Sequence, residues 1–144
     1  MRHSIAGRGT TVTWSTVRAG VSLFGIATFG AKVREIGITN TTSTAFAAAI
    51  CRFTNATGVG AALNEADYDP DNPAQCTGFA GHTADGAVGP SFRQASIGAA
   101  VGAGMVWTFG DSGLLITKGT TNGIGVICPV GSGQIYDYWI DWDE

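Results

Sequence analysis

Apolar and polar residues alternate with a period of two along this chain, which is the pattern of half-buried strands. In residues 134–142, every second residue from Tyr136 onward is apolar. In residues 11–17, Val12 and Trp14 share one face among threonines. Because valine, threonine and the aromatic residues favour extended backbone, the pattern predicts a strand at each of these two places.

Other segments show the same strand character between glycine-rich turns. Residues 101–109 carry five apolar side chains at alternate positions, which predicts a strand with one continuous apolar face. Shorter strands are predicted at residues 33–38, 114–117 and 124–128. The Pro, Gly and Ser residues of 129–133 predict a hairpin loop between the last two strands.

One alanine-rich segment, residues 44–53, fits either a helix or a strand. Residues 40–43 offer side chains that could cap a helix. Apolar residues nevertheless fill both parities of the segment, as in a strand that is buried on both faces. Threonine-rich flanks and the β character of the remaining chain favour the strand.

About eight short strands with turn signals between them predict an all-β fold, either a sandwich or a barrel. Residues 11–144 are expected to form this single domain, preceded by an N-terminal arm at residues 1–10. The longest irregular stretch, residues 64–87, is of a length that usually carries function or an interaction surface. We therefore expect this loop or the arm to reach a neighbouring molecule.

The composition is poor in charge. Of the 144 residues, 13% are charged, against about 25% in an ordinary soluble domain. With 44% apolar residues the chain does not have the composition of a disordered protein, and its 22 glycines lack the three-residue period of collagen. The low proportion of charged residues indicates a surface that is partly covered by neighbouring molecules, because the cores of interfaces are depleted in charged residues.

The net charge of −3 is unevenly divided between the two parts of the chain. Residues 1–52 carry six cations and one acid, whereas residues 53–144 carry two cations and ten acids. This asymmetry fits either docking between subunits or charge pairing between strands of one sheet. The chain has no basic run, so we expect no nucleic-acid partner.

The cysteines predict three reduced thiols rather than a disulfide framework or a zinc site. Cys51, Cys76 and Cys128 are widely spaced and form no CxxC pair. Cys51 and Cys128 lie in apolar runs and are predicted to fill the core, whereas Cys76 lies in a polar stretch and is expected to be partly exposed. No cofactor and no bound metal are expected.

The apolar run of residues 19–31 predicts no membrane segment. It is interrupted by three glycines and falls short of the roughly 20 residues that a helix needs to cross a bilayer. It also lies too far along the chain for the apolar region of a signal peptide. The sequence therefore predicts short strands here and no membrane partner.

Two short motifs resemble chemical sites. Residues 110–113 (GDSG) match the surroundings of a chymotrypsin-like nucleophile, but only His82 and Asp85 precede Ser112 at all closely, and a protease domain cannot place its parts in that span. The motif therefore predicts a plain turn. Neither this motif nor the one described next indicates an enzyme.

The second motif, residues 67–72, alternates carboxylates as a calcium loop does. Asp67, Asp69 and Asp71 would supply oxygens, yet Asn72 and Gly78 stand where an EF-hand requires glycine and glutamate. A looser cation site and a solvated acidic loop both remain open.

Residues 137–144 (DYWIDWDE) combine acids with large aromatic side chains. Alternation along a strand places Asp137, Trp139 and Asp141 on the face opposite Tyr138 and Trp142, which disfavours a glycosidase site. Tryptophan is enriched at the anchors of interfaces, so we predict a subunit contact at the former face. The predicted interface residues are Trp139, Asp137, Asp141, Tyr68, Asp69, Arg2 and Arg8.

Several segments resemble small virion proteins of tailed phages. They are residues 35–42 (EIGITNTT), 102–109 (GAGMVWTF), 113–116, 118–125 (KGTTNGIG) and 141–144 (DWDE). The resemblance covers roughly residues 33–144 and consists of strand and turn patterns. It implies a jelly-roll β-sandwich carried on the particle as capsid decoration or as a head-fibre-like component, and it implies no catalytic residues.

Together these observations predict a non-enzymatic structural protein of the virion, a capsid decoration or cement protein that assembles in the host cytoplasm. The expected partners are further copies of the chain, in a homo-oligomer that is a trimer, and the major capsid protein. The alternative is a receptor- or glycan-binding module of a phage tail or fibre.

Overall fold

The computed structural model describes residues 1–9, 14–56, 58–131 and 134–144. Strands make up 53% of the described residues, which contain no helix. The strands are β1 (Arg2–Gly9), β2 (Val21–Phe24), β3 (Ala31–Asn40), β4 (Phe46–Phe53), β5 (Ala61–Ala62), β6 (Ala66–Asp67), β7 (Thr77–Ala80), β8 (Val88–Ile97), β9 (Gly104–Thr108), β10 (Leu114–Ile116), β11 (Gly123–Val130) and β12 (Tyr136–Asp143).

The strands form two antiparallel sheets. The first sheet has the order β10-β3-β12-β1-β6, with β9 also paired to β3, and the second has the order β5-β7-β2-β11-β4-β8. Since β9 and β10 pair with successive parts of β3, they act as one interrupted strand. Three further pairs join β1 to β12, β2 to β11 and β4 to β8. Pairing the first core strand with the last, and so on inward, is the topology of a jelly roll, which confirms the predicted sandwich.

The core lies between the sheets and follows the predicted alternation. In β12, Tyr136, Tyr138, Ile140 and Trp142 are buried, and the intervening residues are half-buried on the outward face. The two buried faces meet because a sheet with one apolar face must cover it with another layer.

The alanine-rich segment is a strand, as favoured. Seven of the eight residues of β4 are buried, because β4 lies between β11 and β8 with apolar groups on both of its faces. Its outward residues Ala49, Cys51 and Phe53 pack with Phe24 and Ile127 in a second apolar cluster. The sequence of residues 91–100 allows either a short helix or one more strand, and residues 91–97 belong to β8.

The predicted hairpin at residues 129–133 is wrong. β11 belongs to the second sheet and β12 to the first, so the connection crosses from one layer to the other. Turn-forming residues mark a reversal of the chain, but they do not specify whether the strands on either side pair with each other. Residues 132–133 lie outside the described residues.

Residues 2–9, expected to belong to an arm, instead form β1 in the interior of the first sheet. β1 pairs with β12 along its whole length and with β6 on its other edge. Its inward residues His3 and Ile5 are buried, but glycines and arginines conceal the alternation in the sequence. The strand predicted at 11–17 is not present at residues 14–17, although Trp14 is buried, and residues 11–13 lie outside the described residues.

Residues 54–87 connect β4 to β8 and close one side of the sandwich. Their strand β6 extends the first sheet beside β1, and β7 with β5 extends the second sheet beside β2. The stretch predicted as irregular at 64–87 is therefore packed on its own chain through two short strands. The two layers meet here, since a methyl group at Gly78 would lie 2.5 Å from Ile5 Cδ1.

The opposite side of the sandwich is formed by edge strands. β8 ends the second sheet, and β9 with β10 ends the first. We call this the open side, because the described part of the chain adds no further strand to it. The continuous apolar face predicted at 101–109 is formed only in part, with Trp107 buried and Ala103 and Phe109 packed partly buried against the core. β9 begins only at Gly104, Val101 and Met105 are exposed, and Trp107 is the buried residue of the strand.

Candidate functional site

The outward face of the first sheet collects most of the predicted interface residues. Strand β1 pairs with β12 in a register that sets Arg8 opposite Asp137, Ala6 opposite Trp139 and Ser4 opposite Asp141. Alternate residues of a strand point to the same face. Charged side chains from both ends of the chain therefore lie side by side on this face.

The ion pair between Arg8 and Asp137 is bidentate. Arg8 Nε and Nη2 donate hydrogen bonds of 2.7 and 3.0 Å to the two carboxylate oxygens. The hydrogen bond from Arg8 lowers the pKa of Asp137, and the same bond raises the pKa of Arg8. Arg18 makes a similar 2.7 Å contact with Asp85. Positive and negative parts of the chain are thus paired within one subunit, so the charge asymmetry gives no support to docking between subunits.

Arg34 connects three segments at one end of this face. The register of β3 against β12 shifts at Arg34, between the pairs Asp141–Glu35 and Trp142–Val33, and such a bulge re-aims side chains. Arg34 Nε donates a 2.5 Å hydrogen bond to Asp143. Its Nη1 donates to the carbonyl oxygens of Gly110, at 2.8 Å, and of Asp111.

Asp143 contacts both Arg34 and Arg2, because Arg2 Nε lies 3.5 Å from its other carboxylate oxygen, Oδ1. Burial raises the pKa of Asp143, but the hydrogen bond and charge of Arg34, together with Arg2, outweigh it and the net pKa is lowered. The GDSG turn is therefore a structural turn, as predicted, held by the side chain of Arg34.

Trp139 lies over Gly37 in the centre of the face. The two residues are opposite each other in register, and a methyl group at position 37 would lie 2.0 Å from Trp139 Cζ2. The indole Nε1 donates a 2.8 Å hydrogen bond to Glu35 Oε1. The ring is half-buried, which leaves part of it available to a partner.

Glu35 and Asp141 are also directly opposite each other on β3 and β12. The hydroxyl of Tyr68 donates a 3.3 Å hydrogen bond to Asp141 Oδ2, and the charge of Asp141 raises the pKa of Tyr68. These carboxylates line a cavity of about 310 Å³. The cavity is lined by Arg2, Arg34, Glu35, Thr108, Gly110, Asp111 and Asp141.

Asp69, the remaining predicted interface residue, lies in the turn after β6. Its carboxylate accepts hydrogen bonds from the backbone of Asp71 at 3.1 Å and from Asn72 Nδ2 at 2.7 Å. Asp67 Oδ1 lies 2.8 Å from His3 Nδ1 and accepts a hydrogen bond from the backbone of Ala74. Two of the three carboxylates thus stabilise the loop, and no group of three metal-ligating side chains occurs among the described residues.

Ser112 and His82 are not brought together. Ser112 lies in the turn between β9 and β10, whereas His82 is buried with its Nε2 2.8 Å from the hydroxyl of Ser22. Its ring packs against Phe24 and Phe53. Burial lowers the pKa of His82 to about 4, so this side chain is neutral and serves the second apolar cluster.

The contacts of Glu144 with residues 75 and 76 escaped prediction because they join distant segments. The Glu144 carboxylate accepts hydrogen bonds from the backbone nitrogens of Gln75 and Cys76, both at 2.8 Å, and from Trp142 Nε1 at 2.9 Å. The prediction that Cys76 is partly exposed is wrong, because this contact and Cys76's own burial place it inside the fold. Burial, and then the charge of Glu144, raise the pKa of the Cys76 thiol to about 12. Cys51 and Cys128 are buried as predicted, and none of the three cysteines, all of them among the described residues, forms a disulfide.

No protein-family model and no curated protein matches the chain. The described residues include no helix with the length and hydropathy required to span a membrane.

Proposed function

We propose that this chain is a non-enzymatic structural protein of a tailed-phage particle. In this proposal it assembles into a trimer and stabilises the capsid as a decoration protein that binds the major capsid protein. The resemblance at residues 102–125 supports a virion role, and the jelly-roll topology agrees with it. A fold hosts many functions, so the argument for assembly depends on one further observation.

That observation is the difference between the two sides of the sandwich. The side at β1 and β2 is covered by residues 54–87, whereas the open side presents exposed apolar side chains. Val101 is 75% exposed, Val106 47% and Leu115 52%, and Met105, the neighbour of Val106 along β9, is 37% exposed. Uncovered strand edges and exposed apolar side chains are surfaces through which chains associate.

Assembly through the open side would stabilise a shell by mass action. Each contact that forms only in the assembled state adds its binding free energy to the particle and shifts the equilibrium away from free subunits. The low charge of the chain helps, because fewer charged groups must lose water when surfaces meet. Trp139 on the adjacent outward face is the predicted anchor of such a contact.

Native mass spectrometry of the purified chain tests the assembly. We expect a trimeric mass at micromolar concentration and a monomeric mass for Val106→Lys, which introduces a charge at the open side. Val130→Lys is the matched control, since Val130 is exposed at the end of β11 in the other sheet and should leave the trimer intact. A wild-type chain that remains a clean monomer contradicts self-assembly.

The virion role needs a separate measurement. Mass spectrometry of purified phage particles from the source of the gene should detect the chain in stoichiometric proportion to the major capsid protein. Detection at the few copies expected of a tail tip would favour the receptor-binding alternative. Absence from particles contradicts the virion role, whatever the oligomeric state of the isolated chain.

A further inference from the structure

We propose that subunits dock head to tail, with the acidic turn of one copy seated in the lysine groove of the next copy. The acidic turn consists of residues 68–72, which follow β6. The lysine groove is the cavity of about 630 Å³ at the β10 edge of the first sheet, where Lys32, Leu115 and Lys118 are among the lining residues. The inference rests on the self-assembly proposed above and names the two surfaces that meet in it.

The lysine groove carries cationic charge that the subunit leaves unpaired. Lys32 and Lys118 are the two lysines of the chain, and both are exposed. Neither lysine forms an ion pair with any described residue. Four of the six arginines, in contrast, contact an aspartate of their own chain. The groove therefore offers two ammonium groups to a partner.

Two carboxylates also line the groove, but both are already engaged. Asp143 contacts Arg34 and Arg2. Glu144 accepts hydrogen bonds from two backbone N–H groups and from Trp142. Since Arg34 lines the groove together with the two lysines, the groove is positive in a chain whose net charge is −3. Its charge favours an acidic partner, and other copies of this chain are acidic.

The groove also has an apolar side chain to bury. Leu115 is 52% exposed and lies opposite Lys32 in the register of β10 with β3, so both side chains are on the outward face. Leu115 belongs to the open side, which makes the groove continuous with the surface proposed for assembly. Its volume is in the usual range for binding sites. A large side chain flanked by carboxylates matches a leucine beside lysines.

The acidic turn presents these groups. Tyr68 is 60% exposed, and its hydroxyl is held by a 3.3 Å hydrogen bond to Asp141, which is longer than usual for a hydroxyl donor. Asp71 is exposed, and no ion pair to Asp69 or Asp71 forms among the described residues. Tyrosine is enriched at interfaces, so we assign Tyr68 to the leucine and the aspartates to the lysines.

The acidic turn is held in shape before it binds. The backbone N–H of Asn72 donates a 3.0 Å hydrogen bond to the carbonyl oxygen of Asp69, and Pro70 restricts the backbone between them. The backbone N–H of Tyr68 donates a 3.2 Å hydrogen bond to the carbonyl oxygen of Arg2 on β1. A segment that is already ordered loses less conformational entropy when it docks.

The acidic turn and the lysine groove lie at opposite edges of the first sheet. The order β10-β3-β12-β1-β6 places β6 four strand spacings, about 19 Å, from β10. A subunit cannot bring the two edges of its own sheet together, so these surfaces meet only between copies. A contact between two different surfaces repeats around a closed ring when its rotation allows, which is the arrangement that a trimer requires.

Charge reversal tests this contact by sedimentation velocity over a series of concentrations. Asp71→Lys and Lys118→Glu each bring like charges together, so we expect each to raise the dissociation constant of the oligomer about tenfold or more. The double variant restores opposite charges and should return to within about threefold of the wild type. Asp85→Lys is the matched control, an exposed turn acid whose surface pair with Arg18 contributes little, and should assemble as the wild type does.

Circular dichroism checks that the variants are folded, which we expect because all the changed side chains are exposed. A wild-type oligomer that both single variants preserve overturns the docking contact and leaves the assembly standing. Weakening by Lys118→Glu but not by Asp71→Lys assigns the groove to another segment and overturns it too, as does a double variant that assembles no better than the single ones. A monomeric wild type contradicts the assembly itself and this contact with it.

Discussion

The indole of Trp139 covers the Cα of Gly37, and no side chain larger than hydrogen fits between them. A methyl group there would lie 2.0 Å from Cζ2, well inside the contact distance of two carbons. The orientation of the central aromatic residue on the outward face thus depends on a glycine of the neighbouring strand. The hydrogen bond from the indole to Glu35 depends on the same fit.

Gly37→Ala should displace the indole from the sheet and break its 2.8 Å bond to Glu35. We expect a loss of about 1–3 kcal/mol in the free energy of unfolding, as in other overpacked sites, measured by urea denaturation. Gly89→Ala in β8 is the control, because a methyl group there would meet its nearest neighbour only at 3.9 Å. Equal stability of the two variants contradicts the close fit.

Arg34→Lys should destabilise the chain more than Arg8→Lys, although both arginines bind an aspartate of β12. Arg34 is the more buried and also holds two backbone carbonyls of the turn at 110–113, which a single ammonium cannot reproduce. We expect roughly 1.5–3 kcal/mol for Arg34→Lys. Arg8→Lys should have a small effect that disappears in high salt. Urea unfolding at two salt concentrations measures both, and a larger effect at Arg8 contradicts the ranking.

Stability should fall as the pH falls through the range in which His82 titrates when unfolded. The folded pKa is about 4, below the ordinary value of about 6.5, so between these values the unfolded chain binds a proton that the folded chain rejects. The contribution is fully present above about pH 6.5 and decreases by at most about 1.4 kcal/mol per pH unit below it.

Urea unfolding at several pH values measures this slope, and His82→Gln is the comparison. Whatever its overall stability, the variant should give a flatter curve of unfolding free energy against pH between pH 6.5 and pH 4. The aspartates Asp67 and Asp137, whose pKa values are lowered, affect stability only at lower pH. An unchanged slope in the variant would therefore show that groups other than His82 produce the acid sensitivity.

The three thiols should not react with Ellman's reagent in the native chain. All three cysteines are buried, and the pKa values of Cys51 and Cys76 are raised, so thiolate is scarce. We expect no absorbance change at neutral pH and a change equivalent to three thiols after addition of urea. Rapid reaction of one native thiol, assigned by mass spectrometry to Cys76, would place that residue at the surface.

The sequence predicts the sandwich and much of the core because the period of two is a local signal. In β12 every inward and outward residue is assigned from the alternation alone, and β4 follows from apolar residues at both parities. The alternation does not reveal β1 in the same way. Gly7 and Gly9 lie on its inward face because the rings of Tyr138 and Tyr136 occupy the space above them, so the inward face does not look apolar.

The candidate site is predicted less completely. Its aromatic and acidic residues on β12 stand out in the sequence, and Tyr68, Arg2 and Arg8 were placed with them. Glu35 and Arg34 give no local signal, since their roles arise from the pairing of β3 with β12 and from a bulge that turns Arg34 outward. Contacts across more than 100 residues depend on topology, which alternation does not encode.

The pairing of β1 with β12 has a consequence for the order in which the molecule can be made. Arg2 meets Asp143, and the two strands lie side by side along their entire length. During synthesis β1 leaves the ribosome long before β12 is made. Because β12 lies between β1 and β3 in the sheet, the edges of β1 and β3 that pair with β12 stay unpaired until β12 has been synthesised. Folds dominated by such distant pairings form in milliseconds to seconds rather than microseconds, and their waiting edges are prone to aggregate. Slow refolding, with losses that grow with chain concentration, is therefore built into the strand order of this protein.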